Sequence, residues 1–203
     1  MVKELLGKEP VKSIMEELRR YDHSTYEHSI RMAKITVLIM EEKRETHEKC
    51  AEAVLAALLH DIGVIKVEQG IVLNKGAYSS REYVQMKKHT EYGYELLGNY
   101  SSIPEIIRKV CLMHHERNNG NGYPQNINKS QLPELCQFIA FLEVFVALTT
   151  EKKYRRGYSY FEALSIIEGY SDNEFNLSYI PYIYKIYEIP RIHFMLEEKG
   201  RIG

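Results

Sequence analysis

Residues 112–124 read LMHHERNNGNGYP, and no other stretch restricts the folds open to this chain so tightly. Two adjacent imidazoles, His114 and His115, end an apolar run. Glu116 and Arg117 follow at once, and a glycine-rich turn then closes on Tyr123-Pro124. Burying neighbouring polar rings in a core is costly unless their nitrogens find partners. A fold that accepts this segment must therefore bring something to them. A metal ion is the first candidate, because neutral imidazole is the commonest protein ligand for one. A His-His pair alone is a weak signal, so the weight falls on what the rest of the chain supplies.

That remainder is patterned for helices, which points to an all-α fold. Amphipathic helices are expected over residues 11–20, after Pro10, and over 24–43, where Ile30, Ala33, Val37 and Met40 recur at helical spacing. Residues 48–60 are apolar enough to lie in the core. Residues 64–78, with Gly70 and Gly76, read as a loop. Ser79 and Glu82 make a capping box for a helix to about residue 98. Pro104 opens the helix that carries the His pair near its end. Residues 118–130 form a polar turn, residues 133–150 another apolar helix, and Ser159 with Glu162 caps a further one. The tail after residue 174 is rich in Tyr and Ile and broken by Pro181 and Pro190, which suggests a last pair of helices. Tyr179 to Tyr187 reads as core or as a homodimer contact. No internal repeat or long linker appears, so residues 1–203 are expected to form one domain. Its motif-bearing core spans about 24–165, with a helical extension over about 174–203.

Composition closes off several functions. The net charge is −1, which gives no electrostatic case for a polymeric nucleic acid or an anionic membrane. No apolar run is long enough to span a bilayer, and the N-terminal residues lack a secretory apolar region. Three cysteines, Cys50, Cys111 and Cys136, are odd in number and lack metal-ligand spacing, so they read as reduced thiols of a cytoplasmic protein.

Further ligand-type residues stand inside apolar helices. His60-Asp61 ends the helix over 48–60, His28 lies in TYEHSIRMA, His89 in MKKHTEYG, and Glu143 in FIAFLEVFVAL. Each alone has an ordinary explanation in packing or solvent exposure. Together they would be expensive to bury without a shared positive partner. Five histidines with Asp61 and Glu143 are too many for one tetrahedral structural zinc, and suit a dinuclear centre with water-bearing positions. His23, His47 and His193 stand in polar contexts and read as surface or packing residues.

The segments YEHSIRMA, LLHDIG, LNKGAYSSREYVQMKKHTEYGYELL, HHERNNGNGYP and ALTTEKKYR, in this order, resemble the HD-GYP phosphodiesterases within the HD metal-dependent phosphohydrolases. The resemblance implies an all-α helical bundle with a dinuclear centre in its core. It implies hydrolysis of cyclic di-GMP, to pGpG or GMP, by a metal-bridging hydroxide. One metal would be held by His28, His60, Asp61 and Glu143, and the second by Asp61, His89, His114 and His115, with Asp61 bridging. The ions would be iron or manganese. Mixed imidazole and carboxylate donors suit these and zinc over calcium or magnesium, and cobalt or nickel also fit.

The chain also departs from its relatives. Glu143 replaces an aspartate of the family and Val146 a second one. Ser24 stands where trinuclear members carry a glutamate, so two metals are expected rather than three. Val64 replaces the lysine that commonly follows HDIG. Lys66 lies two residues on, and in an extended segment would share its side, so Lys66 is expected beside the phosphate as a catalytic cation. Asn119 replaces an acid. R-P-Y-R becomes Lys152-Lys153-Tyr154-Arg155, which loses one bidentate fork. Lys75, Lys152 and Arg155 are candidate phosphate contacts and Tyr123 a candidate substrate contact. Glu116 and Arg117 either orient the histidines or pair with each other at the surface. With no sensor segment in the sequence, signal input would come from a regulatory partner or the tail. Two other functions stay open: a phosphohydrolase for another cyclic dinucleotide or a nucleotide monoester, and a module that binds cyclic di-GMP without turnover.

Overall fold

The computed structural model describes residues 1–74, 76–151, 156–169 and 174–188. Eleven α-helices are found among them: α1 (Val2–Leu6), α2 (Val11–Tyr21), α3 (His23–Glu42), α4 (His47–Leu59), α5 (Gln69–Val72), α6 (Ser80–Lys87), α7 (His89–Leu97), α8 (Glu105–Met113), α9 (Glu134–Thr149), α10 (Tyr160–Gly169) and α11 (Ile180–Glu188). No strand occurs among the described residues. The one extended pairing is a lone bridge between Asn119 and Asn128. The expected all-α architecture is therefore observed.

Helix α3 begins where Asp22 accepts hydrogen bonds from the Ser24 and Thr25 amides at 3.2 and 3.0 Å, satisfying two of the donors that a helix start leaves unpaired. It turns Met32, Ala33, Ile35, Thr36, Ile39 and Met40 inward. Helix α4, capped by Thr46, packs against it through Ala53, Ala56 and Ala57, small residues that let two backbones approach closely. Helix α9 is apolar around most of its circumference, as suits a helix with neighbours on several sides, and Glu143 is the acidic residue in its middle. It contacts α3, α4, α8 and α10 and buries Phe138, Phe141 and Phe145. Helix α11 lies on α3.

Four local expectations need correction. The helix expected from Ser79 to about residue 98 starts at its capping box but breaks at Lys88 into α6 and α7. The expected loop over 64–78 opens with a 3-10 helix, Ile62–Lys66, and contains α5. A 3-10 helix has three residues per turn, so positions two apart point different ways. Val64 is buried and Lys66 is exposed, and the two do not share a side. Pro181 does not break the tail: it sits in the first turn of α11, where a missing amide hydrogen costs nothing. The second helix expected after Pro190, and His193 with it, lie outside the described residues.

The turn after Asp61 packs against α7 just past the break at Lys88. A Cβ built on Gly63 would lie 2.9 Å from the His89 carbonyl carbon, and closer still to the carbonyl oxygen and to Gly93 N. The turn after Asp61 is thus pressed directly onto the first turn of α7. Only a residue without a side chain allows that approach.

Candidate metal centre

Asp61 joins α4 to the 3-10 turn, with φ −102° and ψ 9°, in the sparsely populated bridge region. The turn sets its carboxylate among side chains from five helices. His28 comes from the second turn of α3, and Glu143 from the middle of α9. His60 and His114 are the residues that end α4 and α8, and His89 is the first residue of α7.

These helix ends matter chemically, because carbonyl oxygens of a last turn have no amide partner within the helix. His60 Nδ1 lies 3.0 Å from Ala57 O, His114 Nδ1 lies 2.9 Å from Cys111 O, and His89 Nδ1 lies 2.6 Å from Met86 O at the end of α6. Each carbonyl can only accept, so each Nδ1 carries the hydrogen and donates it. In a neutral ring this leaves Nε2 with a lone pair and no proton.

Those lone pairs converge. His89 Nε2 and His114 Nε2 are 3.3 Å apart, and each lies 3.3 Å from Asp61 Oδ1. On the other side, His28 Nε2 is 2.6 Å from Glu143 Oε2. His60 Nε2 lies 3.4 Å from Glu143 Oε2 and 3.4 Å from Asp61 Oδ2, is buried, and has no hydrogen-bond partner. Two groups result, Asp61/His89/His114/His115 and His28/His60/Glu143, with the ligand atoms of each within 4.8 Å of one another. Asp61 faces the first group with one oxygen and His60 of the second with the other.

Two facing acceptors and an orphaned ring nitrogen are unfavourable in a core unless a cation lies among them. The donor set therefore fits divalent metal. The side chains of His60 and His114 have no exposure, whereas those of His28, Asp61 and Glu143 keep 17–18%. The centre thus opens to solvent along its carboxylate edge.

Charge follows the same arrangement. Burial works to raise the Asp61 and Glu143 carboxyls, but His60 beside Asp61 and His28 beside Glu143 hold both well below the usual carboxylate range. Burial would lower His60, yet Asp61 and Glu143 raise it to about 10. Burial pushes His114 down, and burial with the neighbouring His114 pushes His115 down further. The ionised carboxylates and the neutral His114 and His115 are in the states that coordinate metal, whereas His60 must give up its second proton to do so.

The loop after the His pair is built from Glu116, which is completely buried. Its carboxylate accepts hydrogen bonds from the amides of Gln125, Asn126 and Ile127 at 2.6, 3.1 and 3.2 Å. Neither reading of Glu116 from sequence holds: it orients no histidine and forms no surface pair, but clamps the loop. Arg117 donates to Glu116 O at 2.8 Å and lies over the Phe175 ring at 4.8 Å. A Cβ on Gly122 would lie 2.5 Å from both His115 O and Arg117 N, so the loop folds flat onto the His pair. This places Tyr123 on His115, with ring centroids 4.7 Å apart and planes inclined by 21°. Asn119 accepts from Asn121 N at 3.0 Å and so holds a turn that any Asx residue can hold. Val146 is fully buried in the hydrophobic core.

His23 and His47 are exposed, as expected. Lys75, Lys152 and Arg155 lie outside the described residues. Two cations escaped the sequence reading. Arg31, one turn after His28, donates to Thr150 Oγ1 at 2.9 Å and Thr149 Oγ1 at 3.1 Å, tying α3 to the end of α9. Lys87 lies beside Tyr123. Both stand inside the motif segments, and their charge was the available signal.

A family model described as an HD domain matches residues 12–177. The chain belongs to the HD domain family. The HHERNNGNGYP loop on its His pair places it with the HD-GYP proteins. A cyclic di-GMP phosphodiesterase of Pseudomonas aeruginosa is 28% identical over 191 residues, 92% of this chain and 45% of that protein. A second, from Thermotoga maritima, is 31% identical over 163 residues, 79% of this chain and 44% of that protein. This HD-GYP chain thus spans less than half the length of these curated relatives. Among solved structures, a cyclic GMP-AMP specific phosphodiesterase of V. cholerae matches with a TM-score of 0.68 at 19% identity, covering 92% of this chain and 50% of that one. No described helix is long and apolar enough to cross a membrane.

Proposed function

We propose that this chain hydrolyses phosphodiester bonds of cyclic dinucleotides, cyclic di-GMP foremost, at a centre of two divalent ions. The observation that carries the reading is Asp61, a single carboxylate with one oxygen 3.3 Å from the Nε2 atoms of His89 and His114 and the other 3.4 Å from His60. His28, His60, Asp61 and Glu143 would hold one ion, and Asp61, His89, His114 and His115 the other. Iron or manganese is proposed, with zinc, cobalt and nickel acceptable to the same donors. When bound, the ions supply Lewis acidity, neutralising the diester and acidifying a water.

The side chains prepare that chemistry. Backbone carbonyls lock three imidazoles with Nε2 inward, so no reorientation is needed when substrate arrives. The carboxylate edge is the open one and admits the diester. Tyr123, stacked on His115, forms a wall beside it. Lys75, Lys152 and Arg155 remain proposed phosphate contacts on charge alone. Lys66 loses the shared side with Val64 that motivated its catalytic role, and the proposal does without it. The reading includes one domain, a cytoplasmic location in which free Cys50, Cys111 and Cys136 stay reduced, signal input from a protein partner or the tail, and a homodimer.

The test is anaerobic purification, loading with iron or manganese, and incubation with cyclic di-GMP, cyclic GMP-AMP and cyclic di-AMP. Linear pGpG or GMP formed fastest from cyclic di-GMP supports the proposal. Faster cleavage of cyclic GMP-AMP transfers it to that nucleotide. Tight binding without any product from fully loaded protein refutes hydrolysis and leaves a binding module.

A further inference from the structure

Lys87, the last residue of α6, is held between two aromatic rings. Its Nζ lies 4.5 Å from the ring centroid of Tyr83, one turn earlier, and 4.6 Å from that of Tyr123. Tyr123 is itself stacked on His115. An ammonium is attracted to ring faces by their quadrupole, but the faces leave its three N–H donors without strong acceptors. Two other cations over tyrosine rings have a carboxylate as well: Lys43 has Glu45 at 3.3 Å, and Arg108 has Glu105 at 2.8 Å, whereas Arg19, 5.7 Å from the Tyr26 centroid, lies over a single ring at the surface. Lys87 is partly buried, yet no carboxylate lies within ion-pair distance of it among the described residues. The fold thus fixes a cation near the ligand cluster and gives it no anion.

We infer that Lys87 binds a phosphate of the substrate, and that this is not the phosphate being cleaved. Nζ and the His115 ring lie 4.6 and 4.7 Å from the same Tyr123 centroid, so Lys87 stands beside the ligand cluster without being a member of it. An anion on Lys87 would thus sit next to the reacting centre and would belong to a second phosphate. Cyclic dinucleotides and their linear products carry such a second phosphate, and simple diesters do not. Lys87 is therefore a specificity residue that selects substrates with two phosphates, an inference that rests on the cyclic dinucleotide reading above. Tyr83, half exposed, and Tyr123 hold its charge in place.

The test compares wild type with Lys87→Met, which keeps the apolar stem on the rings, and Lys87→Arg, which restores charge. Metal content and melting temperature are measured first, to show that each variant is folded and loaded. A charge-assisted hydrogen bond lost without replacement is worth about tenfold or more in affinity. Equilibrium dialysis with linear pGpG is expected to show a Kd tenfold or more higher in Lys87→Met, with a flatter salt dependence, and recovery to within about threefold in Lys87→Arg. The ratio of kcat/KM for cyclic di-GMP to that for bis(p-nitrophenyl) phosphate is expected to fall by the same factor. A Kd and ratio within about twofold of wild type overturn the role of Lys87 alone. Failure of loaded wild-type protein to bind any dinucleotide overturns both this inference and the reading beneath it.

Discussion

Replacing Gly63 with alanine should damage the centre without touching a ligand. The added Cβ would lie 2.9 Å from the His89 carbonyl carbon, and nearer to its oxygen. Ordinary carbon contacts are about 3.5–4.0 Å, so the turn and α7 must separate by roughly 1 Å. A metal constellation tolerates about 0.5 Å, so His89 should leave the reach of the Asp61 oxygen that it now approaches to 3.3 Å. Both obstructing atoms are backbone, so no rotamer change relieves the clash. Overpacking of this kind costs about 2–3 kcal/mol, and for a chain of this size lowers Tm by about 5–10 °C. The assay is thermal unfolding of metal-stripped protein, followed by elemental analysis of the reloaded variant. Metal content should fall to about half or less, since the ligand group that contains His89 is the one displaced. Gly70→Ala is the control, because its Cβ would meet only the Glu68 carboxylate oxygen, at 3.8 Å, and should leave Tm and metal content within error. Wild-type stability and full metal content in Gly63→Ala would refute the account of how the turn positions Asp61 against His89.

Four further outcomes are expected. Glu143→Ala removes the partner of His28 and His60, so metal content should drop by one equivalent and turnover by about a thousandfold or more, checked by elemental analysis and product chromatography. Glu116→Gln weakens three hydrogen bonds to backbone amides and should cost about 2–3 kcal/mol, with faster proteolysis over residues 122–127 and unchanged metal content. His60, raised to about 10, keeps a proton at neutral pH in metal-stripped protein. Loading at pH 7.5 should therefore release about one proton per chain from this residue, and calorimetry in buffers of different ionisation enthalpy should show that release vanish above pH 10. Before loading, the same shift stabilises the folded chain fully below the ordinary histidine pKa, and the stabilisation is lost as pH rises through about 10. Lys66→Ala, altering an exposed side chain that does not share a face with Val64, should leave kcat within about threefold of wild type.

The candidate ligand residues were legible in the sequence because each is a polar interruption of an apolar helical run. Glu143 in FIAFLEVFVAL can only face inward. His60-Asp61 and His114-His115 stop their helices at the core rather than at the surface. Periodicity likewise located α3, α4 and α9 to within a residue or two. The misses share one cause, which is contact with distant parts of the chain. Nothing in MKKHTEYG marks a helix break, and the segment just past it packs against Gly63, more than twenty positions earlier. Glu116 looked available to the histidines beside it, but three amides nine to eleven residues downstream claim its oxygens. Lys66 was placed by the geometry of an extended segment, and the close approach of the turn to α7 forces a 3-10 helix instead. Pro181 read as a breaker because its position within the first helical turn is invisible until the turn is located.

The hydrogen bonds from ring nitrogens to carbonyls have a wider consequence. His60, His89 and His114 each take their anchoring oxygen from the residue three positions earlier. Each of these three imidazoles is thus aimed by backbone within a span of four residues. A centre assembled from such spans is portable. Exposed positions of the neighbouring turn, such as Asn119 and Asn121, can exchange residues while these three rings keep their anchors, whereas Gly122, packed on the His115 and Arg117 backbone, cannot. Divergence in what the site accepts can therefore proceed without renegotiating how it holds its ions.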